Sequence, residues 1–535
     1  MLKLKWILIL ATILRLLWLD KVPPSLNWDE VSMGYTAYSI GETGMDEWGE
    51  RLPIFFRSYG EWKSAVYIYL LVPFIKIFGL SAFAVRLPSA LAGILAVYLT
   101  YLIGRKIYSE KVGLWASLFL AISPWHLLLS RPAFEANVSL TLILAGLFFF
   151  LRSSTIVHWP STILSGIFLG LAPHTYNSAK VVVPFLVLYL IWQTKFYKNI
   201  KQLSLFVVIL TVFAIPIILN LFSGRAQFRY SQVGVSTDQF GLNTFVNHRN
   251  NPQLPKLLGK LAFNKYTYTL HSTLKNGLSY LNPAFLLVEA GDHTQHHLPY
   301  HGVLYIGEFV FVLCGLYHLS KSSNHHLRLL PLVLIFLGII PAALTRDVGH
   351  VLRSILTLPG WQLLAGIGVI ELQKLKTPYL KIVNWLLVIQ IAVFMTAYFF
   401  WYPTAYARDW QYGLKETAAY VQEHEGEYEE IVVSKWFGET QLFLAFYNRW
   451  DPLWYMEANK QNLRYETEGK LWLDQLEEYS IGKYTFKYLK FGEPVYKKTL
   501  YVGKFDDFFE NPRTLETINY PDDSVAVHIM EGLPK

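Results

Sequence analysis

The chain is short of two things that a water-soluble protein of its length would carry. Only 16% of its 535 residues are charged, against about a quarter in an ordinary soluble domain. It also has a single cysteine, Cys314. One cysteine excludes an intrachain disulfide and leaves the redox compartment open. The charge deficit excludes a chain whose only solvent is water. A basic face is missing as well. Once the positive residues are assigned to loops, the formal net charge of +8 leaves no stripe of the kind nucleic acid requires. Internal repeats and low-complexity tracts are absent too.

Apolar and aromatic residues take the place of charge: 53% of the chain is hydrophobic, with 17 Trp and 34 Tyr, as suits many helix ends at headgroup level. Runs of roughly 17–25 apolar residues read as membrane helices. Eleven are expected, near 4–20, 84–104, 112–130, 137–151, 161–176, 181–193, 203–221, 302–319, 328–344, 354–371 and 379–401. The first follows Lys3 and Lys5, and no small-residue cleavage site comes after it, so it reads as a retained anchor. With the N-terminus inside, the inner loops collect Lys3, Lys5, Arg105, Lys106, Lys111, Arg152, Lys195, Lys198, Lys201, Lys321, Arg328, Lys374, Lys376 and Lys381 against Glu110 and Glu371. This is the positive-inside asymmetry, and it puts the C-terminus outside. The expected fold class is therefore an all-α polytopic membrane bundle with a small C-terminal α/β domain outside the cytoplasm.

Domain limits follow composition: a membrane domain over 1–403 with outer loops 21–83 and 222–301, then a soluble domain over 404–535. Within loop 21–83 the apolar stretch Ala65–Gly79 is short for a crossing, and counting it as one would turn the basic loops outward; it reads as an interfacial helix. In the soluble part, Glu429–Lys435, Tyr484–Phe491, Thr499–Lys504 and Val525–Met530 read as strands and Glu439–Asn448 as a helix.

The unusual polar residues gather on the outer side, beside helix ends. Asn27-Trp28-Asp29-Glu30 places two adjacent carboxylates just past the first span; they are either a solvated loop pair or a general base for an attacking hydroxyl or amine. Lys63, at the start of the expected interfacial helix, either snorkels or pairs with a lipid phosphate. Ser130-Arg131-Pro132-Ala133-Phe134-Glu135-Ala136-Asn137 sets Arg131 and Glu135 in a short connection between apolar spans, where a charge is costly unless it faces a polar cavity. His174-Thr175-Tyr176-Asn177-Ser178-Ala179-Lys180 and Arg346-Asp347-Val348-Gly349-His350-Val351-Leu352-Arg353 repeat the pattern. The run 291–301 holds His293, His296, His297 and His301, but its spacing matches no metal motif.

These residues resemble the C-type glycosyltransferases of the protein O-mannosyltransferase and aminoarabinose transferase superfamily, which draw sugars from polyprenyl-phosphate donors. The resemblance runs over about residues 1–400. It rests on Asp29-Glu30 followed by Tyr35, on Glu61-Trp62-Lys63-Ser64-Ala65, where many members have Lys-Pro-Pro and here only the lysine is kept, and on Phe78-Gly79-Leu80. Val85-Arg86-Leu87-Pro88, the Arg131–Glu135 loop, Gly291-Asp292 with His296, Glu308 and His350-Val351-Leu352-Arg353-Ser354 extend it. The resemblance implies inverting transfer of one sugar from a polyprenyl-phosphate donor to a lipid, glycan or protein acceptor on the outer face of a cell membrane. It implies Asp29 as base, with Glu30 and Glu135 as further site carboxylates. Lys63 and Arg353, with Arg131 and Lys180, would hold the donor phosphate; Trp28, Tyr35, Tyr176, His296 and His350 would complete the site. Some members of the superfamily use a divalent metal and others do not, so metal stays open. Two other classes compete: a catalytically silent relative that binds a partner, and a lipid or sugar transporter. A transporter would need polar groups near the bilayer midplane and broken helices in paired halves, and mid-span charges are scarce here.

Overall fold

The computed structural model of the chain describes residues 3–58, 60–155, 157–222, 230–251, 253–321, 327–374, 379–489, 496, 498–504, 506–507 and 513–531. Two compact units are formed. The first comprises Met1–Leu17, Ser89–Ser130 and Phe134–Met395; the second comprises Trp18–Pro88, Arg131–Ala133 and Thr396–Lys535. The soluble part thus belongs to the same unit as the first outer loop, and the chain enters that unit at Thr396, shortly before the composition changes.

The first unit is helical. Each of the eleven apolar runs lies in a helix, but many are short. Five described helices are long and apolar enough to cross a membrane, and a sixth counts if Glu110–Ile122 and Pro124–Ser130, bent by 59°, form one span. The bend has an identifiable cause, since Pro124 has no N–H to continue the ladder. It frees the carbonyls of Leu120 and Ala121, and the buried Arg15 guanidinium donates to both (3.3 and 3.1 Å) while also meeting His126 Nδ1 at 2.7 Å. Backbone groups freed in an apolar surrounding need partners of this kind. Helices Ile306–Lys321 and Gly360–Lys374 approach closely because a Cβ on Gly368 would lie 1.8 Å from the Phe311 carbonyl oxygen, the use of small residues typical of membrane packing. Ile200–Asn220 and Leu380–Ala405 bury only 11% of their apolar windows against protein, so their remaining apolar surface is left for lipid.

The second unit begins with a capping box. Asn27 Oδ1 accepts the Glu30 N–H (2.9 Å) while Glu30 Oε2 accepts the Asn27 N–H (3.1 Å), starting helix Trp28–Thr43. Gly44, at φ 74°, ends it in the left-handed conformation. A hairpin of β1 (Phe55–Ser58) and β2 (Glu61–Ser64) follows, with Phe56 opposite Lys63. Lys63 therefore sits in a strand, and the expected interfacial helix begins after it, at Ala65–Phe78. That helix has 14 residues, about 21 Å, too short for a bilayer core. The C-terminal part forms a six-stranded sheet from β3 (Glu430–Ser434), β4 (Glu478–Ile481), β5 (Tyr484–Lys487), β6 (Thr499–Gly503), β7 (Arg513–Asn519) and β8 (Val525–Glu531). Its order is β4-β5-β3-β6-β8-β7, with β3 parallel to β5 and β6 and the other pairs antiparallel. The apolar run of β3 is the buried centre, and helix Thr440–Tyr447 matches expectation. Strands β4 and β7 and the 55–64 hairpin were not expected. β1, β2 and β4 have four residues each, too few to show a period, and β7 is exposed along most of its length. The far end of the expected strand 484–491 lies outside the described residues.

Candidate functional site

Two adjacent carboxylates in the second unit have opposite surroundings. Glu30 is fully buried. Its Oε1 accepts Arg86 Nε (2.8 Å) and the Ala133 N–H (2.9 Å), and its Oε2 accepts Arg86 Nη2 (3.0 Å) and the capping Asn27 N–H (3.1 Å). Arg86 spends its other donors on the carbonyls of Leu19 (3.1 Å), Pro23 (2.8 Å) and Ser25. Glu30 and Arg86 thereby gather the 19–30 turn, the start of helix Ala82–Ile107 and the 131–133 segment into one frame. Asp29, one residue earlier in the first turn, keeps half of its side-chain surface exposed and pairs with Lys63 Nζ at 2.6 Å. A carboxylate in a first turn is favoured by the helix dipole.

Arg131 completes the same frame. It is buried and donates to the carbonyls of Val22 (3.2 and 2.9 Å) and Trp18 (3.2 Å), with Phe399 and Tyr398 against its guanidinium at 4.9 and 5.7 Å. Tyr35 is buried and donates to the Trp450 carbonyl (3.1 Å); Trp28 donates to the Phe437 carbonyl (2.9 Å). Both side chains fasten the acidic helix to the 437–450 segment. Two further acids, Glu47 and Glu439, are buried nearby. Burial pushes Glu439 up to about 8, with Asp474 adding to the rise. Burial and then Asp46 push Glu47 up, against a hydrogen bond from Thr36. The Lys63 ammonium acts on both in the opposite sense, so Asp29, Glu47 and Glu439 share one lysine.

A second cluster lies in the first unit. Gly291 (φ 81°) and Gly349 (φ 72°) lie back to back, since a Cβ on Gly291 would sit 2.4 Å from the Gly349 carbonyl oxygen. Two loops close on each other there, and the rings of His293, His296 and His350 come within 4.8–5.4 Å of one another. Arg353 Nη1 donates to Asp347 Oδ2 (2.7 Å) and Thr345 Oγ1 (2.9 Å), its N–H meets His350 Nδ1 (3.3 Å), and the Tyr280 hydroxyl accepts the His350 N–H (3.0 Å). His350 is held far below the usual imidazole value, first by burial and then by His296, Arg353 and His293. It is therefore neutral, as a metal ligand must be. Ligand atoms of His293, Asp347 and His350 lie within 4.8 Å of one another, and two imidazoles with one carboxylate are a donor set that zinc accepts.

Of the remaining expected residues, Glu135 is the first residue of helix Glu135–Ser153, and Lys180 donates to Asn177 Oδ1 at 2.6 Å on the surface. Tyr176 is partly exposed at the loop before helix Ala179–Gln193. Arg86, the partner of Glu30, was not among the expected site residues, and neither were Asp347 and His293. An arginine four residues into an apolar helix was the available signal for the first.

Residues 63–219 match the family model of dolichyl-phosphate-mannose-protein mannosyltransferase. The match covers under a third of the chain. Among solved structures, the chain is similar to the archaeal oligosaccharyltransferase AglB of Archaeoglobus fulgidus, in complex with an inhibitory peptide and a dolichol-phosphate. The identity is 14%, the TM-score 0.48, and 83% of this chain and 63% of that one are covered. It is also similar to ArnT of Cupriavidus metallidurans bound to undecaprenyl phosphate, at 12% identity and a TM-score of 0.44, covering 99% of each chain. This chain thus spans 63% of the length of the oligosaccharyltransferase. No curated protein sequence matches it.

Proposed function

We propose that the chain transfers a single sugar from a polyprenyl-phosphate donor to an acceptor on the outer face of the membrane, with inversion and with Asp29 as general base. The observation that carries this is the Asp29–Lys63 pair, a half-exposed carboxylate with an ammonium 2.6 Å away, set on the rigid frame of Glu30, Arg86 and Arg131. The match of residues 63–219 to a family named for a dolichyl-phosphate sugar donor supports the lipid-phosphate half of the reading. In the step, Asp29 takes the proton of the acceptor hydroxyl or amine, whose atom bonds to the anomeric carbon. The bond from that carbon to the phosphate oxygen breaks on the opposite side, and the polyprenyl phosphate leaves with one more negative charge. A donor phosphate competes with Asp29 for Lys63. Drawing the ammonium away leaves the Asp29 carboxylate open to the acceptor proton when the leaving group is in place. Glu30 and Arg131 are positioning residues in this scheme. A divalent ion, if the enzyme uses one, would be held by His293, Asp347 and His350 and would supply Lewis acidity toward an anionic oxygen.

The test is transfer by the purified protein from a panel of radiolabelled polyprenyl-phosphate sugars, with and without divalent metal, beside Asp29→Asn. Label leaving a donor with the wild type and not with the variant supports both the class and the base. Full transfer by Asp29→Asn removes Asp29 from the role. No turnover of any donor by folded wild type favours the silent binding relative.

A further inference from the structure

A cavity of about 570 Å³ lies in the first unit where three helix ends meet: the C-terminal ends of Ala82–Ile107 and Glu135–Ser153, and the N-terminal end of Trp159–Leu171. Its walls carry Arg105, Lys106, Arg152 and His158, with Leu102 and Phe148 as the apolar part. Among the described residues none of the lining side chains is acidic. Cations in the last turns of two helices are favourable without any ligand, and basic residues are expected on this side. Neither effect requires three helices to turn them into one concave space. Lys106 Nζ donates to Thr155 Oγ1 (3.2 Å), which fixes it across the opening. His158 Nδ1 accepts the Ser161 N–H (3.2 Å) as a helix cap, which leaves the ring proton on Nε2 as a donor. Val157 and Trp159, the chain neighbours of His158, are both exposed, and an exposed tryptophan at a helix end suits headgroup level.

We propose that this cavity binds the phosphodiester headgroup of an anionic phospholipid, on the side that the loop charges assign to the cytoplasm. Arg105, Lys106 and Arg152 would surround the phosphate, and Leu102 and Phe148 would meet the start of the acyl chains. Basic pockets between membrane helices on this side suit such headgroups. The site is separate from the transfer chemistry and does not depend on it.

The experiment is competition for the purified full chain in nanodiscs between phosphatidylglycerol and phosphatidylcholine, read by native mass spectrometry of retained lipid. Arg105→Gln/Arg152→Gln and Lys201→Gln are measured beside the wild type, and inorganic phosphate is added in a separate arm. The expected result is preferential retention of phosphatidylglycerol that falls about 30-fold in the double variant, the equivalent of about 1 kcal/mol per cation near an anionic surface. It should stay within about fivefold of wild type in Lys201→Gln, which removes one exposed cation from the start of helix Ile200–Phe222, outside the cavity. Size-exclusion profiles and circular dichroism check that the variants fold. Equal retention of both lipids, the same loss in Lys201→Gln, or displacement of the lipid by millimolar inorganic phosphate would each overturn the proposal.

Discussion

Asp29 and Glu30 are neighbours in one helical turn, and they show how placement divides the work of two carboxylates. Glu30 and Arg86 have no exposed side-chain surface, whereas Asp29 keeps 52%. Four donors meet the Glu30 oxygens, so it defines where the turn, the helix start and the 131–133 segment lie. Asp29 is half-exposed and pairs with Lys63. The first pair is sensitive to loss of either member, because a lone buried charge is costly; in the second only Lys63 is buried, with Glu47 and Glu439 also acting on it, and the Asp29 end stays open to water.

The sharpest way to break this contrast is Arg86→Met. It strands the Glu30 carboxylate and should cost about 3–5 kcal/mol, read as loss of folded protein in a thermal melt followed by tryptophan fluorescence. Adding Glu30→Gln should recover part of that loss, since no charge is then left without a partner; failure to recover would show that the frame is held by packing rather than by the ion pair. Asp29→Asn should do the reverse, moving the melt by the equivalent of 1 kcal/mol or less while lowering transfer about 10²–10⁴-fold.

A pH series sharpens the contrast further. Glu439 is raised to about 8 by burial, and Glu47 is raised by burial and Asp46. Both bind a proton more tightly in the folded state than unfolded. Their favourable contribution is complete below the ordinary carboxylate range and is lost as pH rises from there through about 8. The slope is about 1.4 kcal/mol per pH unit for each such group. Glu439→Gln should flatten the fall in melting temperature between pH 5 and 8, whereas Asp29→Asn should leave it in place. The smallest effect is expected for Trp28→Phe, which removes one half-exposed hydrogen bond to the Phe437 carbonyl; about 0.5–1.5 kcal/mol in the same melt is the scale.

The Asp29-Glu30 pair, Lys63 and the histidine-bearing loops were legible as candidate chemistry because charged residues beside apolar spans stand out against their surroundings. Their division of labour was not legible. Glu30 takes its partners from residues 86 and 133, and Tyr35 takes Trp450. Arg131, expected to hold phosphate, donates to the carbonyls of residues 18 and 22. No spacing rule relates such positions. The three-histidine cluster with Asp347 and Arg353 likewise needed two loops closed on Gly291 and Gly349 before it became one feature.

By itself the sequence determined that this is a helical membrane protein with a small mixed domain at its C-terminal end, because apolar run length and the change of composition near residue 400 are local properties. It also carried the resemblance to glycosyltransferases that use lipid-phosphate donors, because the ordered motifs of the membrane region lie along one stretch of chain. Tertiary structure alone decided which carboxylate is buried and which is open, which arginines are buried against backbone carbonyls, and which cations share a cavity. Burial and ion pairing depend on residues distant in sequence, and hydropathy and charge patterns carry no distances between them.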